Sequence, residues 1–205
     1  MAVTKPVISF WFEFASTYSY LTAMRIEALA ESRGVGLKWR PFLLGPIFAA
    51  QGWTTSPFNI YPAKGSYMWR DLERQAELLS LPLAQPDPFP QNGLKAARIA
   101  EYLRQGEWCA PFVRAVFHAE FGEGRDISDP ELLAAVLIDI GAPAKDVMTA
   151  VETQSVKDRL REAVGEAQGL GIFGAPSFVT EDGELFWGND RLEQALDWAV
   201  RHHGD

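Results

Sequence analysis

The chain has 205 residues, of which 47% are hydrophobic and 22% charged, and its net charge is −8. That length can bury a substantial core in one large domain or in a small domain carrying an insertion. Basic residues never cluster beyond a pair, which excludes a phosphate-binding surface for nucleic acid, and the single cysteine, Cys109, excludes an internal disulfide framework or a cysteine-based zinc site.

The first apolar run, residues 7–14, is rich in β-branched and aromatic side chains and contains Glu13. It is too short to span a membrane, and no A-x-A-like cleavage site is suitably placed, so a cytoplasmic protein is expected. Its nearly continuous apolar character predicts a strand buried on both faces. The polar stretch Ala15-Ser16-Thr17-Tyr18-Ser19 follows. Leu21, Met24, Ala28 and Leu29 then recur at helical spacing, and Gly34 ends the segment. Residues 37–41 form a second strand, and the unit is a right-handed βαβ.

No strand is expected between residues 43 and 169. Helices are predicted over 64–79, 93–105, 110–121, 130–140 and 156–167, with Asp129-Pro130 as a cap and first-turn pair and Gly141 beyond the far end. Strand character returns at 177–180, turns at Glu181-Asp182-Gly183 and pairs back over 184–187. A last helix shows Leu192, Ala195, Leu196 and Ala199 on one face. The order βαβ, helices, ββα predicts an α/β, thioredoxin-like fold with a large all-helical insertion. Residues 1–42 and 170–205 would form the thioredoxin-like domain, and 43–169 the inserted helical domain.

The stretch from Phe12 to Leu21 (FEFASTYSYL) resembles the opening of 2-hydroxychromene-2-carboxylate isomerases and kappa-class glutathione transferases, whose superfamily includes the DsbA-type disulfide oxidoreductases. The resemblance continues through Arg40-Pro41-Phe42-Leu43-Leu44-Gly45, the stretch Pro62 to Leu72, and Phe89-Pro90-Gln91-Asn92. It closes with Gly171 to Phe178 and Phe186 to Leu192, so it covers essentially the whole chain. Between residues 51 and 59 the sequence QGWTTSPFN replaces the Asn-Pro-type segment of many relatives. Trp53, Phe58 and Asn59 are therefore candidates to line a substrate pocket of different preference.

Ser16 lies where redox members of the superfamily carry Cys-x-x-Cys. With no sulfur in that turn, thiol–disulfide exchange from it is excluded. By position alone, Ser16 or Thr17 is equally a helix cap. The resemblance implies a catalytic Ser16 whose hydroxyl donates to the thiolate of bound glutathione, where helix N–H groups favour an anion. Ala175-Pro176 suits the start of a strand by packing alone. The resemblance implies a cis-proline there, with the Ala175 backbone pairing with the cysteinyl part of glutathione. Gly188-Asn189-Asp190 reads as a helix cap, and the resemblance adds recognition of the γ-glutamyl end by Asn189 and Asp190. Lys64 is an ordinary solvated lysine by its surroundings in sequence, and the resemblance places it near the glycine carboxylate.

Cys109 is expected to pack as a small hydrophobe. His118 suits packing or the surface, His202 and His203 suit the last helix end, and no metal is implied. The resemblance implies a glutathione-dependent isomerase of 2-hydroxychromene-2-carboxylate or a related product of aromatic ring cleavage, and a homodimer. A kappa-like transferase or peroxidase shares the same motifs. A non-catalytic thioredoxin-like binding domain is the rival from another class.

Overall fold

The computed structural model describes residues 5–204. Strand β1 (Val7–Phe12) leads through α1 (Thr17–Ala23) and α2 (Ile26–Ser32) to β2 (Gly36–Pro41). Helices α3 (Leu44–Ala50), α4 (Pro57–Ile60), α5 (Pro62–Leu79), α6 (Leu94–Leu103), α7 (Cys109–Phe117), α8 (Pro130–Asp139), α9 (Ala144–Ala150) and α10 (Gln154–Gly169) follow. Strands β3 (Ser177–Thr180) and β4 (Leu185–Trp187) and helix α11 (Leu192–Arg201) complete the order. This is the thioredoxin-like α/β fold with a large helical insertion.

The sheet order is β2-β1-β3-β4, with β1 parallel to β2 and antiparallel to β3, and β3 antiparallel to β4. The interior position of β1 explains its apolar run, because alternate side chains enter opposite cores. Ile8, Phe10 and Phe12 join the larger core with Phe112, Phe117 and Leu133 of the helices. Trp11 joins the second, with Phe42, Ile47 and Val164. Across the first face, Phe10 stands opposite both Trp39 and Phe178, with ring centroids 5.2 and 5.8 Å away. Such cross-strand pairs fix the register on which the turns at the strand ends depend.

Several elements differ from the sequence reading. The helix expected from residue 21 to Gly34 is broken at Met24 and Arg25 into α1 and α2, because Arg25 turns its guanidinium toward the N-terminus of α11. The helix expected over 110–121 leaves the α ladder after Phe117 and makes a π turn over His118–Gly122. Gly122 permits that turn, since a Cβ there would lie 2.9 Å from His118 Nδ1. Helices α3, α4 and α9 had no distinct periodic signal, being four to seven residues long. Among the described residues no helix is long and apolar enough to cross a membrane.

Candidate active site

The turn between β1 and α1 is fixed at Ser16, whose extended backbone makes it the N-cap of α1. Its Oγ accepts from the Ser19 N–H at 3.2 Å and donates to the Ala175 carbonyl at 3.0 Å. The adjoining Thr17 hydroxyl is buried and points to Met68 Sδ at 3.4 Å. Ser16 therefore holds the cap, and it is also the hydroxyl turned toward the second loop. That loop carries a cis Ala175-Pro176 peptide, and the Gly188 N–H donates to the Pro176 carbonyl at 2.9 Å. Ser16, Ala175, Pro176 and the 188–190 segment are thus brought together from opposite ends of the chain.

Asn189 is buried, and its side chain is committed within the protein. Its Oδ1 accepts from Thr22 Oγ1 at 3.0 Å and Arg25 Nε at 3.1 Å, and its Nδ2 donates to Gln75 Oε1 at 2.8 Å. Asp190 is exposed, with Oδ2 3.2 Å from Arg191 Nη1. Gly188, at φ 111°, is the residue the turn requires, since a Cβ there would meet the Asp190 carboxylate. Lys64 lies in the first turn of α5, exposed, with its ammonium 5.4 Å from the centre of the Phe58 ring. No hydrogen bond joins it to Ser16 or Asp190.

A polar chain that the sequence reading missed links these pieces. Tyr18 donates to Asp71 Oδ2 at 2.9 Å, the same oxygen accepts from Gln75 Nε2 at 2.6 Å, and Gln75 reaches Asn189. Arg25 then joins Asn189 to Glu193. Burial pushes the Tyr18 phenol well up, with Asp71, Tyr67 and Asp190 adding to it. The usable signal was the spacing of Asp71 and Gln75, four apart on one helix face.

Behind the turn lie two carboxyl groups. Burial raises Glu13 to about 7, partly offset by the Leu44 N–H that donates to it at 2.6 Å. Glu120, on the π turn, is fully buried, and neither oxygen has a hydrogen-bond partner. Its carboxyl is raised well above the ordinary range by burial first, then by Glu13 and Asp126. Cys109 is buried in the helices, and its thiol is pushed up to about 12 by burial and by Glu101. A protonated thiol of that kind is a poor nucleophile. Among the described residues no group of three His, Cys, Asp or Glu could hold a metal ion. Trp53 precedes α4, which carries Phe58 and Asn59, and Asn59 lines a cavity of about 510 Å³ shared with Trp69, Gln85, Asp87 and Phe89.

The family model of the DSBA-like thioredoxin domain matches residues 7–198. A 2-hydroxychromene-2-carboxylate isomerase of Sphingobium xenophagum is 32% identical over 187 residues, covering 91% of this chain and 94% of that relative. Glutathione S-transferase kappa 1 of Homo sapiens is 27% identical over 199 residues, covering 91% and 87%. The solved structure of a selenomethionine 2-hydroxychromene-2-carboxylate isomerase superimposes with a TM-score of 0.85 at 27% identity, over 95% of each chain.

Proposed function

We infer, from the premise that this chain belongs to the DSBA-like thioredoxin domain family, in its branch of 2-hydroxychromene-2-carboxylate isomerases and kappa-class glutathione transferases, that it is a glutathione-dependent isomerase. Its substrate is 2-hydroxychromene-2-carboxylate or a related aromatic-degradation intermediate. The observation that carries the reading is the Ser16 hydroxyl at 3.0 Å from the Ala175 carbonyl, in a turn with no sulfur of its own. The residues present fit an external thiol: a hydroxyl donor beside the half-buried Ala175 backbone, with the exposed Asp190 carboxylate available to an ammonium group. Glutathione held there would supply a thiolate nucleophile for reversible covalent catalysis of a double-bond isomerisation, and would be regenerated.

Ser16 does not act as the nucleophile. A hydroxyl has one proton to donate, and in this structure it is given to Ala175. Donation to a neighbouring sulfur anion means exchanging that bond while the Ser19 N–H still holds the oxygen in place. Asp190 supplies the countercharge for the γ-glutamyl ammonium. Lys64, at an exposed first turn, supplies it for the distal carboxylate. Asn189 orients the segment through Thr22, Arg25 and Gln75.

Calorimetric titration with glutathione tests this for the wild type, Ser16→Ala and Asp190→Ala. Saturable binding that Asp190→Ala weakens, with turnover in Ser16→Ala falling about a hundredfold, is the expected outcome, by analogy with removal of one anion-stabilising donor. No binding at millimolar glutathione overturns the reading. The kappa relatives favour a second reading, a transferase on the same site. Thiol stoichiometry separates the two, because an isomerase leaves free thiol unchanged while a transferase depletes it.

A further inference from the structure

Two large aromatic side chains beside the Ser16–Ala175 contact remain at the surface. Phe173 is 47% and Trp187 49% exposed, their ring centroids are 4.9 Å apart and their planes inclined at 56°. They pack on one another and belong to neither apolar core. Aromatic surface kept in water forgoes the stabilisation of burial, and about half of the surface of each residue is left so.

The backbone sets where the pair stands. Trp187 is opposite Ser177 in the β3–β4 ladder, and the following Gly188 N–H holds the Pro176 carbonyl. The five-membered edge of the indole lies on Gly174, where a Cβ would collide with Nε1 and lie 3.0 Å from Cε2. Gly174 precedes Ala175, whose carbonyl receives the Ser16 hydroxyl. The indole therefore stands one residue from that contact, and Phe173 two residues before it in the chain. On the α1 side Tyr18, joined to Asp71 and influenced by Asp190, is polar. The two stacked rings add an uncharged π surface next to these polar groups.

We propose that Phe173 and Trp187 form the surface on which the ring of a flat, conjugated electrophile stacks while its double bond meets the thiol held beside Ser16. The proposal rests on the glutathione-dependent reading above and assigns its ring specificity to two residues. Stacking recognises a π face and not a charge, so the pair selects ring-bearing substrates over acyclic enones of similar reactivity. It acts through affinity, leaving the chemical step to the thiol and Ser16.

The test uses Phe173→Leu, Trp187→Leu and Trp187→Phe at saturating glutathione. Binding of chromone-2-carboxylate, a planar analogue that cannot isomerise, is measured by calorimetry. Turnover of 2-hydroxychromene-2-carboxylate is compared with that of the ring-free cis-acetylacrylate. Each Leu variant is expected to bind the chromone about three- to tenfold more weakly and to raise KM for the ring substrate similarly. Glutathione affinity, kcat and cis-acetylacrylate turnover stay near wild type, and Trp187→Phe retains most of the chromone affinity. Unchanged chromone binding in Phe173→Leu and Trp187→Leu overturns the proposal, as does an equal loss on both substrates. Phe173→Leu, in a loop, keeps the test decisive if Trp187→Leu does not fold. A change in oligomeric mass with unchanged chromone binding overturns it in favour of a contact between chains. A wild type that binds no glutathione but binds the chromone through Trp187 sinks the isomerase reading and leaves the stacking surface standing.

Discussion

At Glu120 a carboxyl sits fully buried without a hydrogen-bond partner, near Glu13 and Asp126. Both Glu13 and Glu120 hold their protons above the ordinary carboxylate range, so the folded protein binds more protons than the unfolded chain. Their stabilising contribution is complete below the ordinary value of 4.5, and it is lost as pH rises through about 7 for Glu13 and higher for Glu120. The melting temperature is therefore expected to fall between pH 5 and 8. Glu120→Gln, which removes one titration, should flatten that slope, with its advantage over the wild type larger at pH 8 than at pH 5. Calorimetric melts across this window check the sign. At the neighbouring turn, Ser16→Ala removes an N-cap as well as a donor. It should lower stability by about 1 kcal/mol, a loss that chemical denaturation separates from the loss of turnover.

Among the elements, α1 is seven residues long and too short to persist alone. Its placement comes from neighbours: Ser16 binds the loop before β3, Tyr18 binds α5, and Thr22 binds the segment before α11. Asn189 is where three of these elements meet. Asn189→Ala strands Gln75, Thr22 and Arg25 groups together, and it should destabilise the protein by about 2 kcal/mol, within the range for leaving buried polar groups unpaired. Asp190→Ala, one residue on and exposed, should weaken glutathione binding with little change in melting temperature. Parallel denaturation and titration of the two variants measure the contrast. The sequence reading gave Asn189 and Asp190 one shared recognition role; the structure commits the Asn189 side chain to Thr22, Arg25 and Gln75 and leaves the Asp190 carboxylate exposed.

For the molecule as a whole, the sheet and the helical insertion share one apolar core. The Phe117 ring contacts Phe12 at 6.1 Å and Phe14 at 5.1 Å from the strand side, and Phe121 at 6.4 Å within the helices. Phe117→Ala should therefore cost about 3–5 kcal/mol. It should lower one unfolding transition seen alike by near- and far-ultraviolet circular dichroism, since a shared core couples both regions. Separate transitions for sheet and helices would show that the coupling is weak.

Local pattern determined much of this protein. The apolar run of β1, the Asp129-Pro130 start of α8, the hairpin around Gly183 and the amphipathic face of α11 are each written in residues close in sequence, where period and cap chemistry act. The absence of sulfur around Ser16 was equally plain. Tertiary structure alone decided the rest. Helix α3 takes its cap from Glu13, 31 residues away, and the break after α1 answers to Asn189 and Glu193. Ser16 meets Ala175 across 159 residues, and Phe173 meets Trp187 only because the β3–β4 ladder closes. A hydrogen bond or ring contact depends on distance in space, and a chain's own periodicity carries no record of that distance once a hundred residues of helix intervene.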